Sequence, residues 1–537
     1  MKLLSGKNHK ISSKKIRRIL IDGYSLTPTQ VYTITQDASI KIAIDPIALD
    51  RMRRSREFLL DAARKQAIYG VNTGFGPMVT HIIGIEHVTE LQYNLLRGHA
   101  NGMGDPVRSE YVLAAMLVRL NTIIRGDSGV SVELAHTLCA CVNARITPIV
   151  PEHGAVGTSG DLVQLAHIAL LLIGEGDVMY KGKRTSAALA LKDVGIKAHI
   201  LGAKEGLSLI NGTSMMSGIG CILLIQARRA LSLAMRTGAI SFELVNGFTD
   251  VIDSRLHVAR PHFGQETVAR ILRELTKDSK LLSDREKFAH AIKIGQDVQV
   301  TNIVLQEVYS IRCIPQILGP IMETLLHAEE VITVEINSTT DNPIVDVEKS
   351  RFIHGGNFHG DYVATAIDQL KAGIIKMTLL SERRINFFLN KNINKTFPPF
   401  LNLETPGLTM GLQGLQFVAT STAAQSQSFG YPHSLHSIPT NGDNQDVVSM
   451  GTDAALIASK VIENAFIVLA IEVLTLSQAA ATFSKTEKID GKFSSQMRQL
   501  LQKIRTHAPL VKKDRILSYD MEKLCTALTY DESLDFT

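Results

Sequence analysis

The chain has 537 residues, 45% apolar and only 20% charged, below the ~25% charge of an average soluble domain. That balance excludes disorder and predicts a large buried fraction, subunit interfaces included. Lys plus Arg exceed Asp plus Glu by 57 to 52, and part of the +5 excess sits in one run, Lys7 to Arg18. A single run reads as a solvated basic segment, so we expect no nucleic-acid partner. Five cysteines exclude a disulfide framework, and the close pair Cys139 and Cys141 has neither zinc-knuckle nor thioredoxin spacing. The first ten residues hold no apolar core of secretory-signal length, and long apolar stretches are interrupted by charge, as at Glu472 within 466–483. We therefore expect a cytoplasmic protein with reduced thiols and no membrane span.

In chain order, short β-rich pieces are predicted at Val31–Ile34 and Ile40–Ile44. Glycine-rich loops then recur up to about residue 215: YGVNTGFGPM (69–78), HANGMGDP (99–106), EHGAVGTSGD (152–161) and INGTS (210–214). From 216 the texture becomes helical. Ile321, Leu325, Ala328 and Ile332 form one i, i+4, i+7, i+11 stripe, and Ile462, Phe466, Leu469 and Val473 form another. Ala465–Ile471 is apolar all round, as in a central bundle helix. Loops at 352–362 and 437–451 interrupt this half, and the tail after 485 turns charged. The expectation is a mainly α fold: a loop-rich N-terminal domain over 1–215, a long-helix bundle over 216–484 and peripheral helices over 485–537.

Common catalytic kits are absent. The chain has no G-x-x-x-x-G-K-[ST], no G-x-G-x-x-G after a strand, no H-E-x-x-H and no G-x-S-x-G. His433 and His436 have a helical spacing, but Pro432 and Pro439 bracket them and no third ligand is near, so we expect no metal. One string remains, GAVGTSGDLVQLAH (154–167), with the small tripeptide Thr158-Ser159-Gly160 inside a glycine-rich loop. Alone it describes a tight turn entering a helix near Asp161.

The longer string resembles the self-processing loop of the aromatic amino acid ammonia-lyases and aminomutases. The resemblance continues, in the family's order, through YGVNTGFGPM, LQYNLLRGHANG, EGLSLINGTS, VYSIRCIPQILGP, NSTTDNPI, GGNFHGDY and NGDNQDVVSMG. Bacterial tyrosine ammonia-lyases share LQYNL and DNQD-VSMG in nearly this form. The resemblance implies the long-helix architecture common to ammonia-lyases and the fumarase–aspartase group, and a homotetramer whose active sites draw on more than one chain. It also implies a prosthetic group made from the chain itself, 4-methylideneimidazol-5-one, with no metal or external cofactor. The Gly160 amide nitrogen would bend back onto the Thr158 carbonyl, which needs a strained turn and no Cβ at 160. Loss of water from Ser159 would leave the methylidene. Thr158 stands where the family usually has Ala; only its backbone enters the ring, so its side chain should be tolerated.

Residue roles follow from the resemblance. Tyr69, on a lid loop, matches the base that removes the substrate's β-proton, a task requiring the phenolate. Arg312 matches the clamp for the substrate carboxylate, where a guanidinium fork gives a bidentate contact. Asn211 and Asn342 match amides around the ring and carboxylate, and Gln306 and Tyr309 match polar groups beside the ring. Substrate choice rests on Gly98-His99. A histidine there implies a ring with a polar tip, because an apolar ring would leave it unpaired. The late loop places Asn444 and Gln445 at the substrate, and histidine lyases carry Glu where Gln445 stands. A neutral amide suits a phenol, so L-tyrosine, eliminated to trans-4-coumarate and ammonia, is the expected small-molecule substrate. Histidine to urocanate, and tyrosine 2,3-aminomutation, are the alternatives.

Overall fold

The computed structural model describes residues 17–300, 304–486, 491–531 and 534. The basic run therefore lies outside the described residues except for Arg17 and Arg18. The chain is mainly helical, with four long helices among many shorter ones in the described residues. We label the helices used below α1 (Val88–His99), α2 (Leu162–Leu172), α3 (Ser214–Leu244), α4 (Ile314–Glu335), α5 (Asp361–Leu389) and α6 (Gly451–Thr486). Strands are short and form small separate sheets, such as the parallel pair Arg17–Ile21 and Ile40–Ile44 with Ile19 beside Ile42. Ile40–Ile44 is thus a strand as expected.

Val31–Ile34 is not; it lies in a helix, Pro28–Gln36. Local capping overrides the β-branched run: the Thr27 hydroxyl accepts from the Gln30 amide, the Gln30 side chain returns to the Thr27 amide, and Pro28 occupies the first turn. The helical stripes match the structure. Ile321 and Leu325 are each 4% exposed, and Ala328 and Ile332 not at all. Ile462, Phe466, Leu469 and Val473 are equally buried on α6.

Two helices, Ser214–Leu244 and Gly451–Phe483, are long and apolar enough by composition to cross a membrane. Their most apolar windows are 89% and 72% buried within the protein, as in core helices. The charge that interrupts the second, Glu472, is fully buried and paired with the equally buried Arg384.

The chain divides into two compact units, each assembled from separate stretches. One comprises Met1–Ile222, Val331–Ala364 and His433–Asp453; the other comprises Leu223–Glu330, Thr365–Pro432 and Ala454–Thr537. In the first unit, Leu59, Ala62, Ile68, Val71 and Val345 form a small apolar cluster, with Phe58 stacked on Phe352 beside it. Ile68 and Val71 bracket Tyr69 and Gly70, so this cluster anchors both ends of the turn that carries Tyr69. The second unit holds the charged C-terminal helices, Ser495–His507 and Ser518–Tyr530.

All five cysteines are free. Burial pushes the thiols of Cys139 and Cys525 up to about 11 and that of Cys141 to about 12.

Candidate active site

The tripeptide enters α2 through a turn that only glycine fits. Gly160 has φ +74°, and a Cβ there would lie 2.0 Å from the Gly212 carbonyl oxygen. The two strings GTSGD and INGTS are laced together at this point. Gly212 N donates to Ser159 O at 3.3 Å, and Asp161 N donates to Gly212 O at 2.8 Å. Asn211 Nδ2 adds a second donor to Ser159 O at 3.2 Å. Asn211 is itself held from behind by Arg119, fully buried, whose guanidinium donates to the Asn211 carbonyl at 2.9 Å. Asn211 Oδ1 is buried without a hydrogen-bond partner beside the tripeptide.

Asp161 ties three helix starts to this loop. It precedes α2, its Oδ2 accepts from the Met215 and Met216 amides at the start of α3, and its Oδ1 accepts from Thr452 at the start of α6. Burial pushes its carboxyl up to about 6, although these bonds favour the anion. The positive ends of three helices thus converge beside Thr158-Ser159-Gly160.

The tripeptide forms part of the wall of a cavity of about 710 Å³. Tyr69, Gly98, His99, Thr158, Ser159, Gly160, Asn211, Asn342, Asn444 and Gln445 all line it, and every lining residue belongs to the first unit. Tyr69 Oη accepts from the Gly76 amide at 3.3 Å. Buried Gln92 seats this turn: its Nε2 donates to Gly70 O, and its Oε1 accepts from Leu207 N.

His99, the last residue of α1, hydrogen-bonds through Nδ1 to the Leu95 carbonyl at 2.8 Å. A carbonyl only accepts, so Nδ1 carries a proton, and Nε2 is the ring nitrogen not engaged by that bond. A Cβ at Gly98 would meet nothing within 4 Å, so this end of the cavity is open. Asn342 is positioned from its chain neighbour: Asp341, fully buried in an ion pair with Lys204 at 2.7 Å, accepts the Asn342 amide at 2.7 Å.

Three expected residues do not line the cavity. Gln306, Tyr309 and Arg312 lie in the second unit, where Tyr309 is 70% exposed and the Arg312 guanidinium sits 4.8 Å from its ring centroid. Sequence reasoning also missed side chains of the cavity. Phe358 and His359 line it from the GGNFHGDY string, with His359 Nε2 bonded to the Val447 carbonyl. Thr440 carried no signal; its hydroxyl bonds the Gln445 side chain. Among the described residues, no group of three or more His, Cys, Asp or Glu is arranged for a metal.

Residues 26–506 match the family model described as aromatic amino acid lyase. The chain belongs to that family. Curated relatives of this lyase-family chain carry different activities in their names. It is 40% identical to a tyrosine 2,3-aminomutase from Chondromyces crocatus over 88% of this chain and 89% of that one. It is 38% identical to a histidine ammonia-lyase from Caldanaerobacter subterraneus, covering 86% and 88%, and 38% identical to a tyrosine ammonia-lyase from Cupriavidus metallidurans, covering 95% of each. Among solved structures, the tyrosine aminomutase from Streptomyces globisporus superposes with a TM-score of 0.91 at 35% identity over 95% of this chain and 97% of that one. The mainly α, ammonia-lyase-type architecture expected from sequence is the one found.

Proposed function

We propose that the chain is a tyrosine ammonia-lyase that eliminates ammonia from L-tyrosine to give trans-4-coumarate. The observation that carries the substrate choice is His99: its Nδ1 donates to the Leu95 carbonyl, so in the neutral ring Nε2 is the atom left to accept from a phenol hydroxyl. Phenylalanine would leave that acceptor without a partner.

The local geometry fits the prosthetic group that the family builds from such a tripeptide. Gly160 occupies a cradle that a Cβ would fill, Ser159 O already has two donors, and the unpaired Asn211 Oδ1 can accept an amine hydrogen. Cyclised and dehydrated, Thr158-Ser159-Gly160 supplies an electrophilic methylidene carbon that makes the substrate amine a leaving group. Tyr69, held by the Gly76 amide, then removes the β-proton. Asn211 Nδ2 and Gly212 N polarise the Ser159 carbonyl. Asn342 and Asn444 offer amides to the substrate from the cavity wall. Arg312, with Tyr309 and Gln306, would clamp the carboxylate from a second copy of the chain; the exposure of Tyr309 supports this. We therefore infer a homotetramer with shared sites, working in the cytoplasm.

The similarity to tyrosine 2,3-aminomutases favours a second reading, in which ammonia re-adds at the β-carbon before the acrylate leaves. Purified protein and a Ser159→Ala control, each incubated with L-tyrosine, L-histidine and L-phenylalanine and followed by absorbance and chromatography, test both. Coumarate from tyrosine alone, absent in the control, is the expected result. β-Tyrosine as main product would establish the aminomutase, and urocanate from histidine would overturn the substrate assignment.

A further inference from the structure

Thr158 contributes only backbone to a ring, yet its side chain is buried and engaged. Its Oγ1 donates to Gln445 Oε1 at 2.6 Å, and Thr440 Oγ1 donates to the same oxygen at 3.2 Å. In this arrangement both hydroxyls donate to the oxygen end of the amide. The nitrogen end faces Ser159, and Gln445 Nε2 donates to Ser159 Oγ at 3.0 Å. The backbone of the same loop is also closed, with Thr440 and Gln445 exchanging amide-to-carbonyl bonds in both directions.

We propose that Thr158, acting through Gln445, is a positioning residue for the dehydration of Ser159; this rests on the function proposed above. Ring formation releases two waters. Gly160 N bonds to the Thr158 carbonyl carbon, and that carbonyl oxygen departs with the amide protons of Gly160 and Ser159. Ser159 then gives up its Cα proton and its whole hydroxyl group, which leave together as the second water, and the electron pair of the Cα–H bond becomes the Cα=Cβ double bond. No oxidant is needed. Hydroxide is a poor leaving group, and a fixed N–H aimed at the departing oxygen disperses its charge as the C–O bond breaks. Thr158 keeps that N–H in place.

The test reads mass, not activity. Full-length wild type, Thr158→Val, Thr158→Ala and Thr158→Ser are made by timed cell-free synthesis, and the peptide spanning 158–160 is weighed at intervals. Wild type and the serine variant should lose two waters at similar rates, the hydroxyl being present in both. The valine and alanine variants should lose the second water about fivefold more slowly, the effect of one ordinary hydrogen bond. If valine prevents folding, alanine, which adds no atoms, decides. Loss at the wild-type rate in the hydroxyl-free variants refutes the positioning role alone, whereas a wild-type peptide that keeps both waters refutes the proposed function as well.

Discussion

Replacing His99 by leucine isolates the group that reads the substrate's ring tip. Leu91 and Leu95 precede His99 by eight and four residues on α1 and line the same cavity, so the substitution extends an apolar stripe into the position of the imidazole. The Nδ1 bond to the Leu95 carbonyl is lost, a single side-chain hydrogen bond at a helix end, so the fold should barely change. What is lost is the Nε2 acceptor. A phenol hydroxyl buried without its partner costs ~1–3 kcal/mol, roughly a 5- to 150-fold fall in kcat/KM for tyrosine. Phenylalanine has no hydroxyl to strand and no longer faces an unpaired imidazole, so its kcat/KM should rise. Initial rates of coumarate and cinnamate formation at subsaturating substrate measure both. An unchanged tyrosine kcat/KM, or a parallel fall for both amino acids, would refute the assignment of His99 to the ring tip.

Gly160→Ala should lower the melting temperature and abolish the loss of water from the tripeptide. It combines a left-handed φ of +74°, costing ~1–2 kcal/mol, with a Cβ only 2.2 Å from the Gly212 carbonyl carbon. Wild-type melting together with a wild-type peptide mass would contradict this. Glu205 contributes to acid stability. Burial alone would raise its carboxyl, but hydrogen bonds from His199 and Ser131 and the charge of Arg56 hold it at about 2, against 4.5 when unfolded. A depressed carboxylate stabilises the fold above its unfolded pKa, so roughly 3 kcal/mol is present above pH ~4.5 and is lost as pH falls toward ~2. Glu205→Gln should flatten that part of the stability curve measured by urea titration; an unchanged slope would count against it. Arg384→Leu leaves the fully buried Glu472 uncompensated and should cost ~3–5 kcal/mol, whereas Arg384→Leu with Glu472→Leu should cost less. Denaturant midpoints showing the double variant to be the weaker would reverse that argument.

What the sequence made legible depended on how local the cause is. The stripe Ile321, Leu325, Ala328, Ile332 is a property of one helix, and its burial follows from period alone. Val31–Ile34 misled because β-branched residues signal a strand while the deciding contacts, Thr27 with Gln30, lie just before the run. The site was legible only as ordered strings. Nothing in GTSGD states that Asp161 will gather the amides of Met215 and Met216 and the hydroxyl of Thr452, because those partners meet only after the chain has folded. Gln445 shows the consequence most clearly. Read along the chain, it is a neutral amide where a relative has a carboxylate, and so a residue concerned with substrate. In the fold its two amide atoms reach Thr158 and Ser159, 287 and 286 residues away, so the same side chain is committed to the tripeptide before any substrate arrives. A substitution at Gln445 would therefore change two things at once, the orientation of the Ser159 hydroxyl and the polarity offered to the substrate. Thr158→Val changes the first while leaving the Gln445 amide in the cavity. Comparing the two variants, peptide mass against KM for tyrosine, separates a maturation defect from a recognition defect.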